Sequence, residues 1–422
     1  MEMKFSKKAI YGCFFYSILL SILYINNSSV HVRNVYAIIT MLLCILNIIK
    51  SKDNCIPLVL HFQLLYYNYS VVFSQYLNKV PDYQVFYRNA TESSLGIGIF
   101  CLLTFEFFSL ILDINYTSFS KEKLYRSKSN VFISMGLLLL ATIMAIVSFD
   151  WNAYGQRGAI SSSYEYIGIL LILGLYYAGE YRNKLVKYGY SALIFGLVLQ
   201  GLIFGERVSA LQFIFIWCFF FSYDNLKLKN IMIASLFGIV LMSMVGAFRS
   251  AFSMNGINIS TIWNELTKRM LTFNGADLGY YCSLTFIMVA NKVILATRWN
   301  LFFEFVKSIF LGNSASAYLP EFTRQYYSHW NGGFYPIYFY FYGGILLVIV
   351  ASYIWNAFIK KCFTYRKKKY GELCALLSIY IVSIAARWYM YTPLSAYRPV
   401  LLFIISFYAI DLMSRVLSRE VI

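Results

Sequence analysis

The residues of this chain best suited to chemistry on a charged ligand are arginines that stand beside or close to glycine. Arg157 lies in G-Q-R-G, Arg207 in G-E-R-V and Arg249 in G-A-F-R-S. Glycine allows the backbone to approach a ligand closely, and a guanidinium group can bind phosphate oxygens bidentately. Several such arginines around one cavity would suit a pyrophosphate group. Taken singly, each also fits an arginine at a loop end whose charge reaches toward water.

Arg324, Arg387 and Arg398 are expected on the same side of the protein as these three arginines, and together the six favour the ligand interpretation. Arg387 stands out because it lies in the apolar run Ile379–Tyr391. An arginine at the centre of a membrane span costs about 2.5–3.5 kcal/mol on insertion scales, so it normally faces a cavity or a partner. Glu106 is a second charge inside an apolar run, and it is either that partner or a functional group in its own right.

The stretch Arg324–Gly344 contains the main candidate for proton transfer, His329. The histidine side chain ordinarily titrates near pH 6.5, so it can accept a proton from a sugar hydroxyl around neutral pH. Glu321 is the competing base, and an inert interfacial histidine is the alternative for His329. The surrounding tyrosines and tryptophans form an aromatic belt or stack on sugar rings. The other two histidines, His31 and His61, are expected to be structural.

The overall composition is that of a membrane protein with many spans. Of the 422 residues, 59% are hydrophobic and only 13% are charged, with a mean hydropathy of +0.61, which is too apolar for a soluble domain of this length. The net charge of +17 resides mainly in short joints between apolar runs, so it indicates membrane orientation and contact with anionic lipids rather than nucleic-acid binding. The eight cysteines form no C-x-x-C pair, and no metal site or cofactor is predicted.

The apolar runs predict an all-α bundle of about twelve transmembrane helices that forms one integral membrane domain over residues 1–422. We place the spans at 9–25, 35–49, 57–77, 94–114, 131–149, 164–179, 190–204, 208–223, 231–247, 337–358, 373–390 and 399–414. With the N-terminus in the cytoplasm, alternate joints and the termini hold 22 Lys and Arg residues on the inner side. The short outer joints hold six: Arg33, Lys79, Arg88, Arg157, Arg207 and Arg398. This bias places both termini in the cytoplasm.

Residues 248–336 are predicted to form one large extracytoplasmic loop that is helical and lies along the membrane. The periodicity of residues 259–273 predicts an amphipathic helix, and residues 300–310 predict another. Tyr280–Ala290 is apolar enough to cross, but a thirteenth span would invert the later charge bias. We therefore expect this segment to lie in the interface or to pack against the bundle.

Two segments accompany this layout of twelve spans and a large late loop: F-G-E-R-V-S-A-L-Q-F at 204–213 and G-G-F-Y-P-I-Y-F-Y-F-Y-G-G at 332–344. With these segments the layout resembles the bacterial O-antigen polymerases of the Wzy family. The resemblance implies a GT-C-like membrane fold. It also implies a glycosyltransferase that polymerises oligosaccharide repeat units on the periplasmic face of the bacterial inner membrane.

In such enzymes undecaprenyl-pyrophosphate-linked oligosaccharides are both donor and acceptor, no nucleotide sugar or other cofactor is needed, and a chain-length regulator is a partner. Carried over by position, Arg207 and Arg249 bind the pyrophosphate and Arg157 contacts phosphate or sugar. Stabilisation of the departing pyrophosphate then supplies much of the catalysis. The related O-antigen ligases use a histidine in the corresponding loop, which favours His329 as the base.

Two other functions stay open on sequence grounds. An O-antigen ligase would share the fold and the donor but deliver glycan to the lipid A core, and the sequence separates the two poorly. A flippase for lipid-linked oligosaccharides would be expected to have a charged central cavity and short loops on both faces. The few charges within the spans and the single long outer loop argue against the flippase.

Overall fold

The structure of the chain is a computed structural model. The structure describes residues 7–76, 91–112, 124–126, 130–148, 164–179, 184–203, 207–238, 276–312, 318–329, 331–364 and 368–419, and single residues at 240, 244, 260 and 263. Within these ranges the regular secondary structure is helical. The expected all-α class is therefore confirmed.

The helices follow the apolar runs of the sequence closely. Their bounds are α1 Lys7–Asn26, α2 Val30–Lys50, α3 Cys55–Tyr76, α4 Glu92–Ile111, α5 Val131–Val147, α6 Tyr164–Ala178, α7 Lys184–Ile203, α8 Arg207–Phe221, α9 Leu228–Gly238, α10 Ala276–Ala290, α11 Leu295–Leu311, α12 Leu319–Arg324, α13 Tyr335–Thr364, α14 Lys368–Ser383, α15 Ala385–Met390 and α16 Leu394–Arg419. Local capping fixes some starts. The side chain of Thr91 accepts from the Ser94 amide at 3.1 Å and begins α4, and Asn130 accepts from the Ile133 amide at 3.2 Å and begins α5.

Five of the described helices are long and apolar enough to cross a membrane: α2, α4, α7, α13 and α16. Shorter apolar helices accompany them, and α5 contains no charged residue. Many large apolar side chains on α1, α5 and α9 are exposed, for example Tyr24 and Phe132. Lipid is the environment in which such surfaces are stable. The chain is thus a multi-pass membrane protein, and the number twelve and the orientation stay predictions.

Contacts between helix ends define two ends of the bundle. At the upper end, a Cβ built on Gly96 would come within 2.3 Å of the carbonyl oxygen of Asn27, so the start of α4 packs on the joint between α1 and α2. At the lower end, the Lys50 ammonium donates to the Leu110 carbonyl oxygen at 2.8 Å, where α2 and α4 end. Arg126 donates to Ser414 at 2.7 Å near the end of α16. The end of α1, the start of α2 and the start of α4 therefore lie at the upper end, and the ends of α2 and α4 lie at the lower end.

Helix α13 is broken at Gly343–Gly344 and folds back on itself. Gly344 has a φ of 64° and a ψ of −158°, a conformation almost restricted to glycine. In a straight helix Tyr335 and Ala351 would lie about 24 Å apart, yet the Tyr335 hydroxyl donates to the Ala351 carbonyl oxygen at 3.4 Å. The predicted single span at 337–358 is wrong in this respect: residues 335–342 form a short half-helix beside the longer half that follows the break.

Helix α10 lies inside the bundle, where it packs against α3, α4 and the first half of α13. Its Tyr280 hydroxyl donates to the Leu95 carbonyl oxygen at 3.3 Å, and its Phe286 ring contacts Tyr338 with a centroid separation of 4.8 Å. Of the two alternatives for this segment, packing against the bundle is therefore the one observed. The helix predicted at 300–310 forms part of α11. Most of the amphipathic helix predicted at 259–273 lies outside the described residues.

Candidate functional site

The candidate site begins at the upper end of α8, where Arg207 is the first helical residue. Ser209 follows two residues later and is fully buried. Its hydroxyl accepts a hydrogen bond of 2.7 Å from Nη2 of Arg387, 178 residues further along the chain. Arg387 thus contacts the first turn of the helix that Arg207 begins. Two of the six predicted arginines therefore lie at the same end of the bundle.

Arg387 is carried by α15, a six-residue helix at the upper side of α14. The predicted span at 373–390 is continuous, but the structure interrupts it at Ile384, whose φ of −95° and ψ of 12° are not helical. The carbonyl groups left without helical partners are satisfied from elsewhere. Gln63 of α3 donates to the Val382 carbonyl oxygen at 3.0 Å, and the indole of Trp388 donates to that of Ile381 at 3.0 Å.

The loop that follows His329 is hydrogen-bonded to the end of α15. The amide of Gly333 donates to the Met390 carbonyl oxygen at 3.0 Å, and the Tyr338 hydroxyl donates to the Tyr391 carbonyl oxygen at 2.8 Å. Gly332 has a φ of 113°, and a Cβ there would lie 3.2 Å from the Met390 oxygen. The backbone conformation therefore favours glycine, and the space for a side chain is tight. The candidate base and Arg387 belong to directly connected segments.

His329 is buried, with 4% of its surface exposed. Its Nε2 lies 2.8 Å from the hydroxyl oxygen of Thr323, which itself lies 3.0 Å from the Leu319 carbonyl oxygen. The one hydroxyl hydrogen can be given to only one of these acceptors. If Thr323 donates to Leu319, the histidine carries its proton on Nε2 and has Nδ1 as the basic atom. The ring also meets Phe286 edge to face.

The two charged candidates on α12 are both exposed. Glu321 lies in the first turn of this helix and Arg324 in the last. The guanidinium group of Arg324 donates to the side-chain oxygen of Asn331, which links the helix to the loop before α13. Burial raises the pKa of Tyr318, which precedes α12, to about 12, so this phenol stays protonated at neutral pH.

Arg398 lies in the second turn of α16, apart from the contact between Arg387 and Ser209. One of its terminal nitrogens would lie 3.4 Å from a Cβ built on Gly312, the residue that ends α11 with a φ of 99°. The guanidinium group of Arg398 therefore lies beside the end of α11, and its role in ligand binding stays a prediction. Arg157 and Arg249 lie outside the described residues.

The suggested ion pair between Arg387 and Glu106 is not formed. Glu106 is fully buried in α4 and accepts hydrogen bonds from Asn47 at 2.9 Å and Asn68 at 3.1 Å. The sequence indicated both charged residues, Arg387 and Glu106, but the groups that contact them were not predicted. Ser209 stands within the very segment quoted for Arg207, and Asn68 is a polar residue in the apolar run of α3, so both carried a signal.

Comparisons with protein-family models, with curated proteins and with solved structures found no match to this chain. In the part of the chain that the structure describes, no cluster of three or more His, Cys, Asp or Glu side chains is placed to hold a metal ion. The candidate groups that the structure describes at this site are the guanidinium groups of Arg207 and Arg387, the imidazole of His329 and the exposed carboxylate of Glu321.

Proposed function

We propose that this protein is a glycosyltransferase that polymerises undecaprenyl-pyrophosphate-linked oligosaccharide repeat units on the periplasmic face of a bacterial inner membrane. The observation that carries the proposal is the contact between Arg387 and Ser209. It brings a guanidinium group from an otherwise apolar segment to the start of the helix that Arg207 begins. Two cationic groups at one end of a membrane bundle favour an anionic ligand that reaches them from the lipid, and a lipid-linked pyrophosphate has that chemistry.

In the proposed reaction a hydroxyl oxygen of the acceptor sugar attacks the anomeric carbon of the donor glycan. The bond from that carbon to the pyrophosphate oxygen breaks, and the electron pair leaves with the pyrophosphate. Arg207 and Arg387 stabilise the negative charge that develops on this leaving group. The acceptor proton passes to a base, and His329 is the proposed one.

The position of His329 supports this assignment over Glu321. The backbone that follows His329 is hydrogen-bonded to the end of the helix that carries Arg387, whereas Glu321 lies on the exposed surface of α12. The buried imidazole is also oriented by Thr323. A base that is held in this way loses little conformational freedom when the acceptor binds.

The deciding experiment is polymerisation in vitro by the purified protein in detergent or nanodiscs, with defined undecaprenyl-pyrophosphate-linked repeat units as donor and acceptor. Products longer than one repeat unit are expected from the wild-type chain, and much less from Arg207→Ala. Arg415→Ala is the matched control, since Arg415 is an exposed arginine at the lower end that pairs with Asp411 at 3.1 Å. Failure of the wild-type chain to lengthen the glycan, with the lipid carrier intact, would sink the proposal.

The O-antigen ligase is the second outcome that this experiment must separate. The same protein is therefore offered lipid A core as acceptor, and expression in strains that lack either activity gives an independent reading. Restoration of a ladder of repeat units indicates a polymerase, and restoration of capped core indicates a ligase. Movement of labelled lipid between leaflets without glycan transfer would instead indicate a flippase.

A further inference from the structure

The interior of the bundle contains a polar network centred on Glu106. Both carboxylate oxygens accept an amide hydrogen bond, from Asn47 of α2 at 2.9 Å and from Asn68 of α3 at 3.1 Å. Glu106, Asn47 and Asn68 are all at least 98% buried. A buried polar group is costly unless it is hydrogen-bonded, so this network has few alternative arrangements.

Asn68 connects this network to α15. Because its amide nitrogen faces Glu106, its carbonyl oxygen faces the other way, where it accepts a 2.9 Å hydrogen bond from the hydroxyl of Tyr389. Tyr389 is itself fully buried, and its ring stacks on that of Tyr67 with a centroid separation of 6.0 Å. The orientation of one asparagine amide therefore connects the carboxylate of α4 to the short helix that carries Arg387.

Helix α15 needs such a connection because it has only six residues and the chain is not helical at Ile384. Helix α3 holds the chain on both sides of this break. Gln63 binds the Val382 carbonyl oxygen at 3.0 Å before the break, and Asn68 binds the Tyr389 hydroxyl after it. Arg387 lies between these two anchors, and the direction of its side chain follows from how they place α15.

We infer that Asn68, held by Glu106, positions Arg387 through the hydroxyl of Tyr389, so that the guanidinium group reaches Ser209 at the upper end. The network is the buried support of the proposed anion site and contributes no group to the ligand itself. The geometric part of this inference concerns only the contact between Arg387 and Ser209. The statement that this contact serves ligand binding rests on the proposed function.

The geometric part is tested by thermal unfolding in detergent, followed by tryptophan fluorescence. Ser209→Ala is compared in two backgrounds, the wild-type chain and Tyr389→Phe, which removes one hydroxyl and keeps the ring. We expect Ser209→Ala to lower the unfolding midpoint in the wild-type background and to have at most half that effect after Tyr389→Phe. Groups that act through one contact are not additive, whereas independent groups are.

Tyr335→Phe is the matched control. Tyr335 is equally buried and its hydroxyl is hydrogen-bonded to Tyr397, and none of its described contacts is to α3 or α8. Ser209→Ala should lower the midpoint by the same amount with and without Tyr335→Phe. Equal effects of Ser209→Ala in the wild-type and Tyr389→Phe backgrounds would overturn the inference, and this result does not depend on any activity of the protein.

The functional part uses farnesyl diphosphate as a short lipid diphosphate, with its Kd measured on the purified full chain. Tyr389→Phe is expected to weaken binding about 2- to 10-fold, as for the loss of one hydrogen bond, and to cause no further loss once Arg387→Ala is present. An equal loss of affinity from Tyr389→Phe in the wild-type and Arg387→Ala backgrounds would contradict the inference that Tyr389 acts through Arg387. If the wild-type chain does not bind farnesyl diphosphate but the unfolding midpoints show the expected pattern, the result contradicts the proposed function. The geometric part of the inference then still stands.

Discussion

Arg387 and Ser209 are joined by a 2.7 Å hydrogen bond although 178 residues separate them in the chain. The serine hydroxyl accepts from the guanidinium group, so the first turn of α8 orients Arg387. The contact fixes this guanidinium group beside the start of the helix that Arg207 begins. A preorganised donor at that position is what the proposed pyrophosphate leaving group would require.

Arg387→Ala is expected to reduce kcat/KM for polymerisation on the order of 100-fold, as is common when one preorganised donor to a developing negative charge is removed. Arg387→Lys should be nearly as severe, because an ammonium group cannot reproduce the fork. Ser209→Ala should have a smaller effect, since the charge is retained. The measurement is in vitro polymerisation kinetics, with Arg415→Ala as the control. Near-normal kinetics of Arg387→Ala would remove this residue from the mechanism.

His329→Ala is expected to lower kcat by about 10²- to 10⁴-fold, the usual contribution of general base catalysis. Glu321→Ala, at an exposed position on the neighbouring helix, should leave kcat within a few-fold of the wild-type value. Thr323→Val removes the hydroxyl that contacts Nε2 and should give an intermediate loss. The three variants are compared by single-turnover glycan transfer, and a severe loss in Glu321→Ala alone would reverse the assignment of the base.

The positions of most helices could be predicted from the sequence because long apolar runs leave few alternatives in a membrane. The two breaks could not. Ile384 lies in an apolar segment whose composition does not change at the break, and Gly343–Gly344 signals a weak point without showing that the chain folds back there. Each break depends on contacts with distant residues, Gln63 at the first and Arg298 at the second. The candidate site shows the same division. The cost of a buried arginine indicated that Arg387 needs a partner, but the identity of that partner as Ser209 is set by helix packing.

Gly344→Ala is expected to destabilise the fold by about 1–3 kcal/mol, the usual cost of a non-glycine residue in a sparsely populated backbone region. A Cβ at this position would meet no atom within 4 Å, so the cost comes from the backbone conformation and not from a clash. Gly196→Ala is the matched control, because Gly196 is exposed within α7 and its Cβ also meets nothing. That substitution should stabilise the helix by about 0.5–1 kcal/mol. Unfolding midpoints that move in the same direction for both variants would contradict this account of the break.

Arg298 holds the end of the first half of α13, just before this break, and its replacement tests whether that half-helix depends on one side chain. Its guanidinium group donates to the carbonyl oxygens of Tyr340 at 3.3 Å and of Phe341, at the end of the first half of α13. It also donates to that of Ala290 at 3.3 Å, at the end of α10. These are carbonyl groups that a helix end leaves without partners.

Arg298→Lys keeps the charge but can reach fewer of these carbonyl groups, because lysine lacks the planar fork. We expect it to lower the free energy of unfolding by about 2 kcal/mol, as for leaving one or two buried acceptors unsatisfied. Arg415→Lys changes an exposed guanidinium group beside Asp411, which also pairs with Arg126, and should cost less than about 1 kcal/mol. Unfolding midpoints measure both, and hydrogen exchange of the amides at 335–342 should rise only in Arg298→Lys. An equal response of the two variants would show that the half-helices are held by their apolar packing rather than by Arg298.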